Sequence, residues 1–145
     1  MDFRRAAVLT LAATALLGGC GHGGQSPESI VRAWSKALNS GDNEQAAQLF
    51  AQGARVIQAG HVLLLRTRAD AVAFNAGLPC SGRVLSVSTR GNAATATFLL
   101  GNRPRSTCDA PGQHARALFE VRGGKIVVWH QLPTGTGPAL PGQSV

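Results

Sequence analysis

Few side chains in this sequence are equipped to move a proton. After residue 25 the acids are Glu28, Asp42, Glu44, Asp70, Asp109 and Glu120. Glu28, Asp42 and Asp70 stand where helix starts want negative charge, and Glu44 falls in the first turn of a helix, so position alone accounts for them. Asp109 lies in a loop beside Cys108. Glu120 alternates with Leu118, Arg116 and His114, so His114, Arg116 and Glu120 form a polar cluster if that strand face lines a pocket. Ala115, Ala117, Phe119 and Val121 make the better core face, which turns the cluster toward solvent or a partner. Trp129-His130-Gln131 is the second candidate. His130 shares strand parity with Ile126, Val128 and Leu132, which predicts an inward position. There it serves as a base, as a donor to a ligand, or as a hydrogen-bonded core residue. His61 precedes an apolar run, and nothing positions it. The acid–base candidates are thus His130 and Glu120. No Gly-x-Ser-x-Gly elbow occurs, and no His/Asp/Glu spacing suits zinc or iron, so neither a metal nor a cofactor is expected.

The elements that would position these groups have material for one core. The chain has 145 residues, 44% apolar and 14% charged, which suits a single folded domain. Its formal charge is +7, and the part after residue 19 keeps +6. A basic balance favours anionic partners. The basic residues from Arg32 to Lys125 are scattered, however, and there is no Tyr to join five Phe and two Trp. That supplies no stacking platform for bases, and no nucleic-acid partner is expected.

The first residues read as an address. Arg4 and Arg5 are followed by an uncharged Ala/Leu/Val run from Ala6 to Leu17. It is too short to span a bilayer, which takes about 20 apolar residues, but suits a signal peptide. Leu17-Gly18-Gly19-Cys20 is similar to the lipobox of bacterial lipoproteins. The resemblance implies cleavage before Cys20, diacylglycerol on its thiol, and an acylated new amino terminus. Stable anchoring needs two or more acyl chains. The expected location is the bacterial membrane, on its extracytoplasmic face. A phosphate loop is excluded because no strand precedes Gly18 and no Gly-Lys-Ser/Thr follows. Residues 1–19 are then the signal peptide and 20–25 the lipidated cysteine and tether.

Ser26-Pro27-Glu28 starts a helix, with an apolar stripe of Ile30, Val31, Trp34, Ala37 and Leu38, and Gly41 ends it. Asp42 and Gln45 open a second helix that runs to Gly53. Ala54 to Gln58 reads as a short strand, and His61 to Arg66 as another strand or a buried connector. Thr67 to Asp70 caps a third helix, stopped by Pro79. Strands follow at 83–89, 93–100, 114–122 and 125–132, with turns at Gly91 and Gly123-Gly124. Residues 101–112 form a long loop, and 133–145 a disordered Pro/Gly tail. Segregated helices and a four-stranded meander define an α+β domain over 26–132.

Ile30 to Gly41, IVRAWSKALNSG, with Asp42 and the short helix to Phe50, resembles the opening of the nuclear transport factor 2-like superfamily, in particular its SnoaL-like branch. Gly124-Lys125-Ile126-Val127-Val128-Trp129 resembles that family's last strand. The resemblance implies a cone, a strongly curved, mostly antiparallel sheet wrapped by three N-terminal helices around a pocket, often dimerised through the sheet. It implies no reaction, because function lies in sites grafted onto folds. Trp129-His130-Gln131 also looks similar to the Trp-Arg-Asp stretch of limonene epoxide hydrolase-like members, whose arginine and aspartate help activate water. The matching positions here are His130 and Gln131, and a glutamine cannot act as a general base.

With Cys20 assigned to lipid, Cys80 and Cys108 are an even pair in a domain outside the cytoplasm, which favours a disulfide. In a hairpin turning at Gly91, residue 80 lies opposite about residue 102, where the loop carrying Cys108 starts. Two free buried thiols, or a nucleophilic cysteine, are the rival readings, and the latter lacks a paired histidine. The leading expectation is a lipid-anchored, non-catalytic module whose apolar pocket, lined by Trp34, Phe74, Val128 and His130, holds a small hydrophobic ligand or docks on a cell-envelope protein. The alternatives are a small isomerase or hydrolase using His130 with Glu120, and a structural subunit, such as a homodimer, that works through its exposed sheet.

Overall fold

A computed structural model of the chain describes residues 24–134. Cys20, the leader and most of the tether lie outside the described residues, as does the tail beyond Thr134. Helix α1 spans Pro27–Asn39. The Ser26 hydroxyl accepts from Ser29 N–H at 3.1 Å, and Glu28 pairs with Arg32 one turn on. These contacts satisfy the orphan donors and complement the dipole of the first turn. Gly41, at φ 75°, takes the left-handed conformation beyond the helix end. The predicted stripe of α1 is buried, with Ser35, whose hydroxyl donates to Gly82 O at 2.6 Å.

Helix α2 is short, Asn43–Gln48, capped by the Asp42 carboxylate. The expectation that it runs to Gly53 is corrected: strand β1 begins at Phe50 and continues to Gln58. Gly53 sits inside β1 at φ 78°, where the pairing with the last strand shifts register between Phe50 and Arg55. A glycine read as a helix stop is a kink in a strand. Strand β2 is His61–Leu65, and only Leu65 of it is buried, so it is no buried connector. Helix α3, Arg68–Gly77, carries the predicted capping box between Thr67 and Asp70. The Thr67 hydrogen bonds hold the Asp70 carboxyl below its ordinary value of 3.8.

Four strands complete the fold: β3 Ser81–Arg90, β4 Ala93–Gly101, β5 His114–Arg122 and β6 Lys125–Leu132. The six strands form one sheet in the order β2-β1-β6-β5-β4-β3, with β1 parallel to β6 and every other pair antiparallel. Register shifts at Leu85 in β3 and Val127 in β6 add to the one in β1. Such bulges bend a sheet and raise its twist. The fold is α+β with a curved sheet. The inner face meets α1, which packs mainly on β3, while α2 and α3 pack on each other.

Both tryptophans and four phenylalanines build the centre. Trp34 meets Phe119 at 5.3 Å and Phe98 at 6.0 Å between ring centroids, and Phe74 bridges Trp129 at 5.3 Å and Phe50 at 5.8 Å. Edge-on aromatic pairs of this kind add to simple area burial.

Candidate functional site

The wide end of the sheet, where β1, β4 and β6 finish and β3 and β5 begin, holds a cavity of about 240 Å³. Trp34 and Leu38 of α1, Phe98 and Leu100 of β4, and Trp129 of β6 give it apolar walls. Leu78 to Gly82 close one side, and Gln58, Asp109, Arg116 and Gln131 border it. These four polar residues are all solvent-exposed.

One residue of extra strand decides which chemistry reaches this cavity. Glu120 pairs with Val128 but Val121 with Ile126, so Val127 bulges out of register. Beyond the bulge the inward residues are Trp129 and Gln131, while Val128, His130 and Leu132 take the outer face. The predicted inward position of His130 is therefore corrected. Its parity with Ile126 fails because a bulge breaks the two-residue period. Of the residues expected to line the pocket, Trp34 does so. Phe74 is buried in the core, and Val128 and His130 lie across the sheet. Glu120 shares the outer face with His130, since Leu118 pairs with His130 in the next register position. Its Oε2 stands 3.8 Å from Arg122 Nη2. The two acid–base candidates thus share a face, but not the cavity. His114 is exposed at the start of β5, and His61 opens β2, opposite Gln58.

Cys80 and Cys108 are joined by a disulfide that closes 28 residues of chain. Cys80 is part of the cavity wall. Asp109 completes a compact cluster with the two sulfurs. With those sulfurs bonded to each other, a single exposed carboxylate is left, which is no metal site.

Two buried polar residues behind the wall escaped the sequence reading. Arg103 is 7% exposed, and its guanidinium donates to Asn75 O at 2.8 Å, to Leu78 O at 2.9 Å and to Asn43 Oδ1. Burial lowers its pKa below the ordinary guanidinium value. The carbonyls it reaches end α3, where the dipole favours a cation. Asn75, fully buried, accepts from Trp34 Nε1 at 2.8 Å and donates to Ala71 O at 2.7 Å. Ser106 Oγ donates to Pro79 O at 2.9 Å. Arg103, Ser106 and the disulfide therefore fasten the 102–113 loop to the end of α3. In sequence, an arginine between Asn102 and Pro104 looks like a solvated loop residue, so nothing local signals its role. Trp129 Nε1 is buried too, but has no hydrogen-bond partner among the described residues.

Residues 31–129 match the family model of the SnoaL-like domain, and the chain belongs to that family. Solved structures agree in fold. A candidate ketosteroid isomerase from Kribbella flavida is 23% identical, with 79% of this chain and 82% of that one covered at a TM-score of 0.62. A candidate polyketide cyclase from Sinorhizobium meliloti is 18% identical, with coverage of 71% and 93% and a TM-score of 0.56. A de novo designed protein with a curved β-sheet is as close in shape, at 16% identity, coverage of 72% and 81%, and a TM-score of 0.60. At such identities the likeness is one of fold alone. No curated protein matches the chain.

Proposed function

We propose that this protein is a lipid-anchored, extracytoplasmic binding module that holds a small apolar ligand in the cavity and performs no chemistry on it. The observation that carries the reading is the composition of the cavity. Its walls are aromatic and aliphatic, and His130 and Glu120, the acid–base candidates, lie on the other face of the sheet. Catalysis on an apolar substrate asks for a carboxylate or histidine in a water-poor setting. Asp109, the acid that borders the cavity, is exposed. Trp129 Nε1 favours a ligand with one hydrogen-bond acceptor, because a buried N–H seeks a partner. The glutamines at the border, Gln58 and Gln131, can orient a polar end of the ligand.

Two measurements test the reading. Mass spectrometry of the membrane fraction should find a chain that begins at Cys20 and carries acyl mass there; a chain that retains residues 1–19 removes the anchor. Full-length protein purified under native conditions should release an apolar small molecule on extraction. Ala115 of β5 also lines the cavity, and Ala115→Phe, which fills it, should abolish that release. Equal release from both proteins, or none from either, rejects the cavity as the binding site.

A further inference from the structure

The largest apolar exposure lies away from the cavity walls, on β2. Val62 is 55% exposed, Leu63 50% and Leu64 43%, and the remaining exposed large apolar residue among the described ones is Leu85. β2 ends the sheet, so its far edge is paired with no strand among the described residues. Natural sheets cover such an edge, shorten it, or mark it with charge. Val62 to Leu64 carry none.

The register makes the exposure two-sided. Val62 and Leu64 stand opposite Ile57 and Arg55 on the outer face, whereas Leu63 stands opposite Val56 on the inner one. A second sheet packed flat against the outer face would cover Val62 and Leu64 but leave Leu63 in water. A medium that surrounds the strand edge covers all three. The charges beside the strand itself are arginines, while Asp70 at the start of α3 is close enough to Arg66 to feel its charge. Arg55 lies beside Leu64, and Arg66 follows β2 directly; both are exposed, and neither makes an ion pair among the described residues. The sequence from Phe50 to Ala69 contains no Asp or Glu. An apolar edge flanked by arginines complements an anionic lipid surface, with side chains at the acyl boundary and guanidinium groups among the phosphates.

We infer that the β1–β2 hairpin docks edge-on into an anionic bilayer. Its place in the fold gives the contact a use. Gln58, the last residue of β1, borders the cavity and pairs with His61, the first of β2. The hairpin turn therefore stands at the cavity rim, and docking brings the rim to the lipid. The ligand class is then an amphiphile resident in the bilayer, taken up without crossing water. That last step rests on the proposed binding role of the cavity; the docking does not.

Tryptophan placed at the edge reads the contact locally, whatever else holds the chain to the membrane. Full-length Leu63→Trp is reconstituted into vesicles of phosphatidylethanolamine and phosphatidylglycerol, with brominated or ordinary acyl chains. Emission in excess of wild type should fall by about half on brominated lipid, the depth expected of interfacial insertion. Leu85→Trp, on the opposite edge of the sheet, should be quenched little. Val62→Trp repeats the test should Leu63→Trp melt early. Equal quenching at both edges, or none at Leu63→Trp, overturns docking. So does a blue-shifted Leu63→Trp signal that grows with protein concentration without lipid, which would assign the edge to a second copy. If quenching is seen but no ligand is released on extraction, docking stands and the binding role of the cavity falls.

Discussion

Asn75 and Asp70 show how differently two polar residues of one helix work. Asn75 has no water to fall back on. Asn75→Ala would leave the Trp34 indole N–H buried without an acceptor, a loss of about 1–3 kcal/mol. Urea denaturation should show the midpoint fall with the slope unchanged. Asp70 acts at the surface, and its carboxylate accepts from Thr67 N–H at 2.8 Å. Because folding lowers its pKa, its contribution is fully present above the unfolded value near 3.8 and is lost as pH falls through the lower folded value. Asp70→Asn should therefore melt earlier than wild type near neutral pH, and the gap should close in strong acid. The sequence shows Asp70 plainly, because a capping box is a local pattern. It hides Asn75 and Arg103, because their partners lie 41 and 28 residues away.

Among elements, the 102–113 loop depends most on a single bond. It has no regular structure beyond one bridge between Arg103 and Ser106, and the disulfide ties it to the start of β3. Paired Cys80→Ser and Cys108→Ser should cost about 3–4 kcal/mol by loop-closure entropy, read as a lower melting temperature. Hydrogen exchange should quicken in residues 102–113 and leave β5 and β6 protected. Reductant should do the same to wild type and nothing further to the double variant. The pairing was legible from cysteine count, given the expectation that Cys20 is lipidated and the domain lies outside the cytoplasm. Helix and strand identities were legible from period and capping, and α1 keeps the predicted stripe. The errors fall where a period is interrupted. Gly53 looks the same as a helix stop or a strand kink, and the Val127 bulge leaves no mark in an apolar run of Ile, Val, Val and Trp.

For the molecule as a whole, the cavity joins parts that lie far apart in the chain. Its walls come from α1, the sheet and the clamped loop. A ligand that binds only the folded state should raise the melting temperature with its concentration, by mass action. That increment should shrink when the disulfide is reduced, because one wall is then released. The same increment in oxidised and reduced protein would place the ligand elsewhere. This dependence was not legible in the sequence. Trp34 is the expected lining residue that the cavity does use; the rest of the wall follows from a sheet curvature that strand patterns do not encode.

The bulge at Val127 lets β6 absorb one extra residue without turning over the side chains that follow. Deleting that one residue would restore the plain alternation and leave Trp129 facing the cavity, because Val128, Trp129 and His130 already keep regular register with Glu120, Phe119 and Leu118. Smoothing the bulge with Val127 retained would instead slide the strand by one register position and present an imidazole in place of the indole. Insertions and deletions are usually regarded as events of loops. Here a central strand carries an extra residue, and the bulge that absorbs it keeps the indole rather than the imidazole facing the cavity.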